Sequence, residues 1–246
     1  MTASLFFVPA GKTAGTTVRL DGAELHHLRA ARIKAGQIVW LFDEEGTRIR
    51  ADVLSISSGS AQLRLLERER PRDARLRLPL VQAVLKNKFM DEVVERAAEW
   101  GVRKLIPVST ERTIVKLGDR QDRKAERWRQ IALAAAEQCK SGRVPEIAPP
   151  RRLAVVLAEP PEGHKVVLSE HGGRPLRDIL EEPAIPPPGT SEDWVLLLGP
   201  EGGWSERELD AIGAAGFEAA SLGPQILRAA TAALSAAAIV FHFRGL

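Results

Sequence analysis

Two glycine-punctuated stretches carry the residues that could do chemistry. The first is Gly199-Pro200-Glu201-Gly202-Gly203, and the second is Ser221-Leu222-Gly223-Pro224-Gln225-Ile226-Leu227-Arg228. Gly199, Gly202 and Gly203 allow positive φ and a close backbone approach to a ligand. What they offer is backbone N–H and C=O groups for binding, not a set of catalytic side chains. Taken singly, each stretch is explained equally well as an ordinary strand–helix turn. Two of them around one amphipathic helix form a more specific pattern. Neither is a Walker loop, because no Gly-Lys-Ser/Thr follows, and neither matches G-x-G-x-x-G. One cysteine, Cys139, excludes an internal disulfide and a multi-cysteine metal site. The adjacent His26 and His27 point in different directions on a helix and lack a third ligand nearby, so no metal is expected.

The elements that must position these loops follow from pattern. Val195-Leu196-Leu197-Leu198 is an apolar run ending in Gly and Pro, which reads as a buried strand of a parallel sheet. Ligands of open α/β sheets bind just beyond the carboxyl ends of such strands. Ser205 with Glu208 three residues on predicts a capping box at the start of the next helix. Upstream, Leu78–Val84 reads as a buried strand with Lys86-Asn87-Lys88 at its end. Phe89–Trp100 reads as a helix with Met90, Val93, Val94, Ala97 and Ala98 inward, closed by Gly101. Lys104–Val108 completes a βαβ unit and implies a parallel sheet. Arg123–Cys139 reads as a long helix with Trp128, Ile131, Leu133 and Ala135 inward. Lys165–Glu170 reads as a strand with polar residues at its carboxyl end, Leu176–Leu180 as a short helix and Ile185–Asp193 as a surface loop.

The first seventy residues read differently. Gln37–Phe42, Arg48–Ile56 and the stretch from Ala61 are short strands separated by the turns Asp43–Gly46 and Ser57–Ser60, a spacing that suggests a small barrel. Ala23–Arg32 is a short basic helix. Glu67–Arg77 is a charged connector that reads as a domain boundary, dividing the chain into 1–72 and 73–246.

The 246 residues suit one large domain or two modest ones. No run approaches the roughly 18 apolar residues of a membrane span, and the first residues lack the basic and apolar regions of a secretory leader. A cytoplasmic protein is expected. Net charge is +3 but unevenly placed: residues 1–72 hold 11 Lys/Arg against 8 Asp/Glu, residues 73–150 hold 16 against 11, and residues 151–246 hold 8 against 13. A basic first part joined to an acidic last part is compatible with a polyanionic partner on one side.

Leu198-Gly199-Pro200-Glu201-Gly202-Gly203, followed by Leu222-Gly223-x-x-Ile226-Leu227-Arg228-x-x-Thr231-Ala232, resembles the bacterial 16S ribosomal RNA uracil-N(3)-methyltransferase family. That family belongs to the SPOUT class of trefoil-knotted α/β methyltransferases. His27-Leu28-Arg29-x-x-Arg32, Glu95-Arg96-Ala97-x-Glu99-x-Gly101-Val102 and Glu137-Gln138-x-x-x-x-Arg143-Val144-Pro145 extend the resemblance, in order, over nearly the full chain.

The resemblance implies a PUA-like β-barrel that helps hold RNA, followed by a knotted methyltransferase domain. It implies S-adenosylmethionine as cofactor, held mostly by backbone atoms of Leu198, Gly199, Glu201, Gly202, Leu222, Gly223 and Leu227, with Leu168, Ser169 and Glu170 in a third wall. It implies a homodimer, with the Ala-rich helix after Arg228 at or near the interface. The substrate is then a uridine in the decoding region of 16S rRNA in the small ribosomal subunit. Arg228 is the candidate for stabilising the uracil anion, or it braces the knot through carboxylates such as Glu201. His27, Arg29, Arg32, Lys86, Lys88, Arg112 and Arg143 are candidate RNA contacts. The sequence departs from the pattern at Ala230, where the family usually carries an acidic residue. Two other readings stay open: an RNA-binding assembly factor that has lost activity, and a knotted methyltransferase acting on tRNA or on a ribose 2′-OH.

Overall fold

A computed structural model describes residues 4–69, 76–86, 88–114, 121–170, 172–182 and 192–244. The chain divides into two compact units: 1–72 together with 133–144, and 73–132 together with 145–246.

The first unit is built on β1 (Leu5–Phe7), β2 (Thr17–Leu20), α1 (Gly22–Ala30), β3 (Ile38–Phe42), β4 (Arg48–Ile56) and β5 (Ala61–Glu69). Its sheet runs in the order β1-β3-β4-β5-β2, so the expected barrel takes the form of an open ladder with β1 and β2 at its edges. Strict alternation sends Ile49, Ala51 and Val53 inward, where they meet Val39, Leu41 and Leu63. Register shifts at Arg50/Ala51 and Val53/Ser55 interrupt the β4–β5 ladder, and bulges of this kind bend and twist a sheet. A second apolar cluster joins Leu5 and Phe42 to Ala136, flanked by Leu133 and Val144. The turns expected at 43–46 and 57–60 are present. Helix α1 ends at Ala30, earlier than expected, and Arg32 lies beyond it in the left-handed region at φ 57°. The two ends of the expected connector are in strands: Glu67–Glu69 finish β5, and Leu76–Arg77 form a short strand. The connector's residues 70–75 lie outside the described residues.

The second unit continues with β6 (Leu76–Arg77), β7 (Pro79–Ala83), α2 (Lys88–Trp100), β8 (Lys104–Ser109), α3 (Gln121–Cys139), β9 (Glu146–Ile147), β10 (Arg151–Arg152) and α4 (Leu153–Ala158). It is completed by β11 (His164–Leu168), β12 (Arg174–Pro175), α5 (Leu176–Glu181), β13 (Glu192–Leu198), α6 (Glu206–Ala214), β14 (Glu218–Ser221) and α7 (Ala229–Arg244). The main path is β10-β8-β7-β13-β11-β14-β12, and all its pairings are parallel. Strand β13 lies between β7 and β11 although it follows both in the chain. Its residues Val195 to Leu198 are fully buried, as a sheet covered on both faces demands.

The five inward positions expected of α2 are all buried, and Gly101 ends it at φ 80°. Helix α3 departs from expectation. Its buried positions include Ala125, Trp128, Ala132, Ala135 and Ala136, while Ile131 and Leu133 are only partly covered. Four of these five are alanines, so bulk is a poor guide to which face is inward. The expected loop at 185–193 falls outside the described residues up to 191, and Asp193 is already in β13.

At the amino end of β13, Trp194 is fully buried, His164 stacks on it at 4.4 Å and the Arg244 guanidinium lies 5.2 Å from its ring centre. Gly163 stands beside this strand at φ 126°, and a Cβ there would lie 2.5 Å from the Asp193 carbonyl oxygen. Gly163→Ala is therefore expected to cost at least about 1–3 kcal/mol from backbone strain alone, read as a lower urea midpoint with unchanged slope.

Candidate active site

Three strands end side by side. β13 stops at Leu198, β11 at Leu168 and β14 at Ser221, and the loops that follow enclose a cavity of about 300 Å³. That volume is at the lower end of the roughly 300–1,000 Å³ typical of small-molecule sites. Leu168, Ser169, Leu198, Gly199, Leu222, Gly223 and Leu227 all line it.

The glycine loop is held from several sides. Gly203 N–H donates to the Pro200 carbonyl at 3.0 Å and adopts φ 65°. The capping box is formed: Glu208 N–H donates to Ser205 Oγ at 3.1 Å, and Ser205 N–H donates to Glu208 Oε2 at 3.0 Å. The other oxygen of this buried carboxylate, Oε1, accepts from Glu111 N–H at 2.8 Å. Trp204 turns its ring under the loop, and Nε1–H donates to the Leu168 carbonyl at 3.0 Å, tying the end of β11 to the loop after β13. The ring is so close that a Cβ on Gly199 would stand 3.1 Å from it. Beneath, the fully buried Gln82 amide donates to the Ala83 carbonyl at 2.9 Å and reaches the Gly199 carbonyl at 3.5 Å. In the second loop, Gly223 N–H donates to Ser221 Oγ at 3.2 Å, which closes a tight turn with Gly223 at φ 132°.

Two of the residues whose backbone the resemblance sets at the cofactor make other contacts. Glu201 Oε1 accepts from Lys86 N–H at 2.9 Å, and Gly202 faces Arg112, whose Nη1 donates to the Gly202 carbonyl at 3.0 Å. Neither lines the cavity. With Glu201 so engaged, it is not a brace for Arg228. Arg228 itself is exposed and outside the lining, although its neighbours Leu227 and Ala229 both belong to it.

The expected RNA contacts fall on both units. In the first, His27 Nδ1 lies 3.1 Å from Glu137 Oε2, the exposed Arg29 donates from Nη2 to the Ser57 carbonyl, Arg32 is exposed and Arg143 is half-buried. In the second, Lys88 and Arg112 are exposed and Lys86 is half-buried. Among the described residues no group of three or more His, Cys, Asp or Glu side chains could hold a metal ion, and no helix is long and apolar enough to cross a membrane.

Sequence reasoning missed Trp204, Gln82 and the second role of Glu208, as well as Glu206 and Arg112 in the cavity wall, whereas Glu170, expected in the third wall, does line it. The capping box was the one signal that could have led to Glu208. The others depend on contacts between residues distant in the chain.

Known proteins give the arrangement a context. An RNA methyltransferase domain model matches residues 72–241, and an RNA methyltransferase PUA domain model matches residues 20–66. The chain is 32% identical over 220 residues to the ribosomal RNA small subunit methyltransferase E of Synechocystis sp., covering 88% of this chain and 70% of that one. It is 31% identical over 240 residues to the enzyme of the same name from Mycobacterium tuberculosis, covering 95% and 89%. A ribosomal RNA small subunit methyltransferase E from Neisseria gonorrhoeae, solved bound to S-adenosylmethionine, superposes with a TM-score of 0.87 at 30% identity over 98% of both chains. A parallel sheet with glycine loops at its carboxyl edge, matched over most of its length in this way, places the chain in the RNA methyltransferase family, among the ribosomal RNA small subunit methyltransferase E proteins.

Proposed function

We propose that this protein methylates N(3) of a uridine in the decoding region of 16S rRNA, using S-adenosylmethionine. The observation that carries the reading is the cavity itself, walled by the loops after β11, β13 and β14. Its residues fit the cofactor. Leu168, Leu198, Leu222 and Leu227 offer aliphatic surface to a flat adenine, and the backbone at Ser169, Gly199 and Gly223 offers donors and acceptors. The Glu170 and Glu206 carboxylates in the wall suit a ligand with cationic groups. When bound, the cofactor supplies an electrophilic methyl group.

Methyl transfer needs alignment more than acid–base help, so holding both partners in line carries most of the rate. Uracil N(3) lies on the pairing edge, so the base must be unpaired or flipped to react. Residues 1–72 form the PUA-like part and 73–246 the methyltransferase part, folded as a trefoil knot, a reading with which the place of β13 between β7 and β11 agrees. His27, Arg29, Arg32, Lys86, Lys88 and Arg143 contact phosphates, which positions the RNA without reading its sequence. The protein works in the cytoplasm on the small ribosomal subunit as a homodimer. Helix α7 supports the dimer: Leu234, Ala238, Ile239 and Phe241 are only half-buried, and Phe243 and the nearby Trp100 are 43% and 45% exposed.

A second reading, a binding-only assembly factor, is favoured by one observation. Ala230, where the resemblance expects an acid, is buried and offers no side-chain acceptor. Calorimetric titration with S-adenosylmethionine and S-adenosylhomocysteine separates the two readings, together with a methylation assay on small subunits lacking the modification. Micromolar binding at one site per chain with label transfer to a uridine is the expected result. A folded dimer that binds RNA but neither ligand would establish the assembly factor.

A further inference from the structure

We propose that Arg112 stabilises the uracil anion during methyl transfer. The inference rests on the uridine N(3) reading above and assigns its electrostatics. N(3) of uracil carries a weakly acidic proton and becomes nucleophilic when that proton leaves. The resulting charge spreads over O2 and O4, so a fixed cation at one of those oxygens lowers the barrier.

Among the described residues that line the cavity, Arg112 is the one basic side chain. It is also fixed. Its Nη1 donates to the Gly202 carbonyl at 3.0 Å, and Gly202 packs so closely that an added Cβ would stand 3.2 Å from Arg112 Cβ. One residue earlier, Glu111 N–H is held by the buried Glu208 carboxylate at 2.8 Å. One residue later the loop is locked, since Thr110 N–H donates to Thr113 Oγ1 at 2.9 Å and Thr113 N–H to the Thr110 carbonyl at 3.2 Å. Arg112 is an exposed residue of the cavity wall, its guanidinium has further N–H groups to offer, and no carboxylate among the described residues forms an ion pair with it. A cation that is held, unneutralised and open to substrate suits charge that develops only as the reaction proceeds.

In the step, the N(3) proton passes to water and its electron pair remains on the ring, held at O4 or O2 by Arg112. That pair forms the N–C bond to the methyl group as the C–S bond breaks, and the C–S electrons go to sulfur. The products are N(3)-methyluridine, neutral S-adenosylhomocysteine and one released proton.

The test compares wild type, Arg112→Gln and Arg112→Lys on unmodified small subunits whose RNA carries either uridine or 5-fluorouridine, in which the fluorine makes N(3)–H more acidic. Arg112→Gln should lower kcat on uridine by about 10²–10³ and move the rising limb of the pH–rate profile to higher pH, because the N(3) proton then leaves less easily. 5-Fluorouridine should restore at least a tenfold part of the loss, and Arg112→Lys should lose less than Arg112→Gln. Calorimetric binding of S-adenosylhomocysteine should be unchanged, which shows the fold and the cofactor site to be intact.

An equal loss on both substrates would overturn the proposal, as would a loss confined to KM, which marks a phosphate contact. Loss of S-adenosylhomocysteine binding in both variants would overturn it too, since Arg112 would then be structural. An inactive wild type would sink the methyltransferase reading and this one with it. An active wild type with unaffected variants would sink only the role of Arg112.

Discussion

Trp204→Ala is expected to lower stability by about 3–5 kcal/mol, as removal of a buried aromatic usually does, and to abolish S-adenosylhomocysteine binding. The ring is 9% exposed and packs in the cluster that contains Val195, Leu197, Ile212 and Phe217. It is also the wedge that keeps the two loops in register. Its Nε1–H holds the Leu168 carbonyl, and its face supports Gly199. Without it the Leu168 carbonyl loses its donor and the glycine loop loses its floor. Trp204→Phe separates the two contributions. It keeps most of the packing and gives up the hydrogen bond, at about 0.5–1.5 kcal/mol. Urea denaturation and ligand titration of both variants make the check. A Trp204→Ala protein within 1 kcal/mol of wild type would mean that the ring is not the support described.

Glu208→Ala should cost about 3–6 kcal/mol, since its carboxylate accepts two hydrogen bonds and hydrogen bonds to a charged group are worth roughly 1.5–3 kcal/mol each. The two carboxylate oxygens serve two different chain segments. Oε2 closes the capping box through Ser205 N–H, and Oε1 anchors Glu111 N–H in the loop after β8. The substitution should therefore lower methylation as well as stability, because Arg112 is the next residue. Glu208→Gln retains an acceptor for one of the two N–H groups and should recover part of both losses. The pair is read by denaturation and by kcat measured well below the unfolding temperature. Full activity in a destabilised Glu208→Ala would show that Arg112 needs no help from this anchor.

The sequence was most legible where neighbours in the chain decide the outcome. The alternation of Ile49, Ala51 and Val53 depends only on strand period, and the capping box of Ser205 and Glu208 spans three residues. The α2 stripe ended by Gly101 is equally local. The glycine loops and the ends of the strands before Ser169 and Gly199 were legible for the same reason, whereas Leu168, Leu198 and Leu222 as site residues came from the family resemblance. What escaped is set by partners far away in sequence. The resemblance sets the backbone of Glu201 at the cofactor, and nothing near it in the chain shows that its carboxylate accepts from Lys86 N–H, 115 residues earlier. Arg112 was taken for a phosphate contact because nothing near it in the chain ties it to Gly202, 90 residues on. The α3 stripe was misjudged because bulky Ile131 and Leu133 outrank alanines on any hydrophobicity scale, whereas the buried positions are mostly alanines.

Helix α3 gives its first part to one compact unit and its last part, with the turn up to Val144, to the other. A fragment cut after residue 72 would therefore lack Ala136 against Leu5 and Phe42. It would also lack the Glu137 carboxylate that accepts Phe7 N–H, and the Lys140 and Ser141 carbonyls that hold Arg48. The first unit is thus not a cassette. Recombination that moved residues 1–72 alone into another enzyme would carry an uncovered apolar edge with it, so the sheet and the distant helical segment must be inherited, exchanged and engineered together.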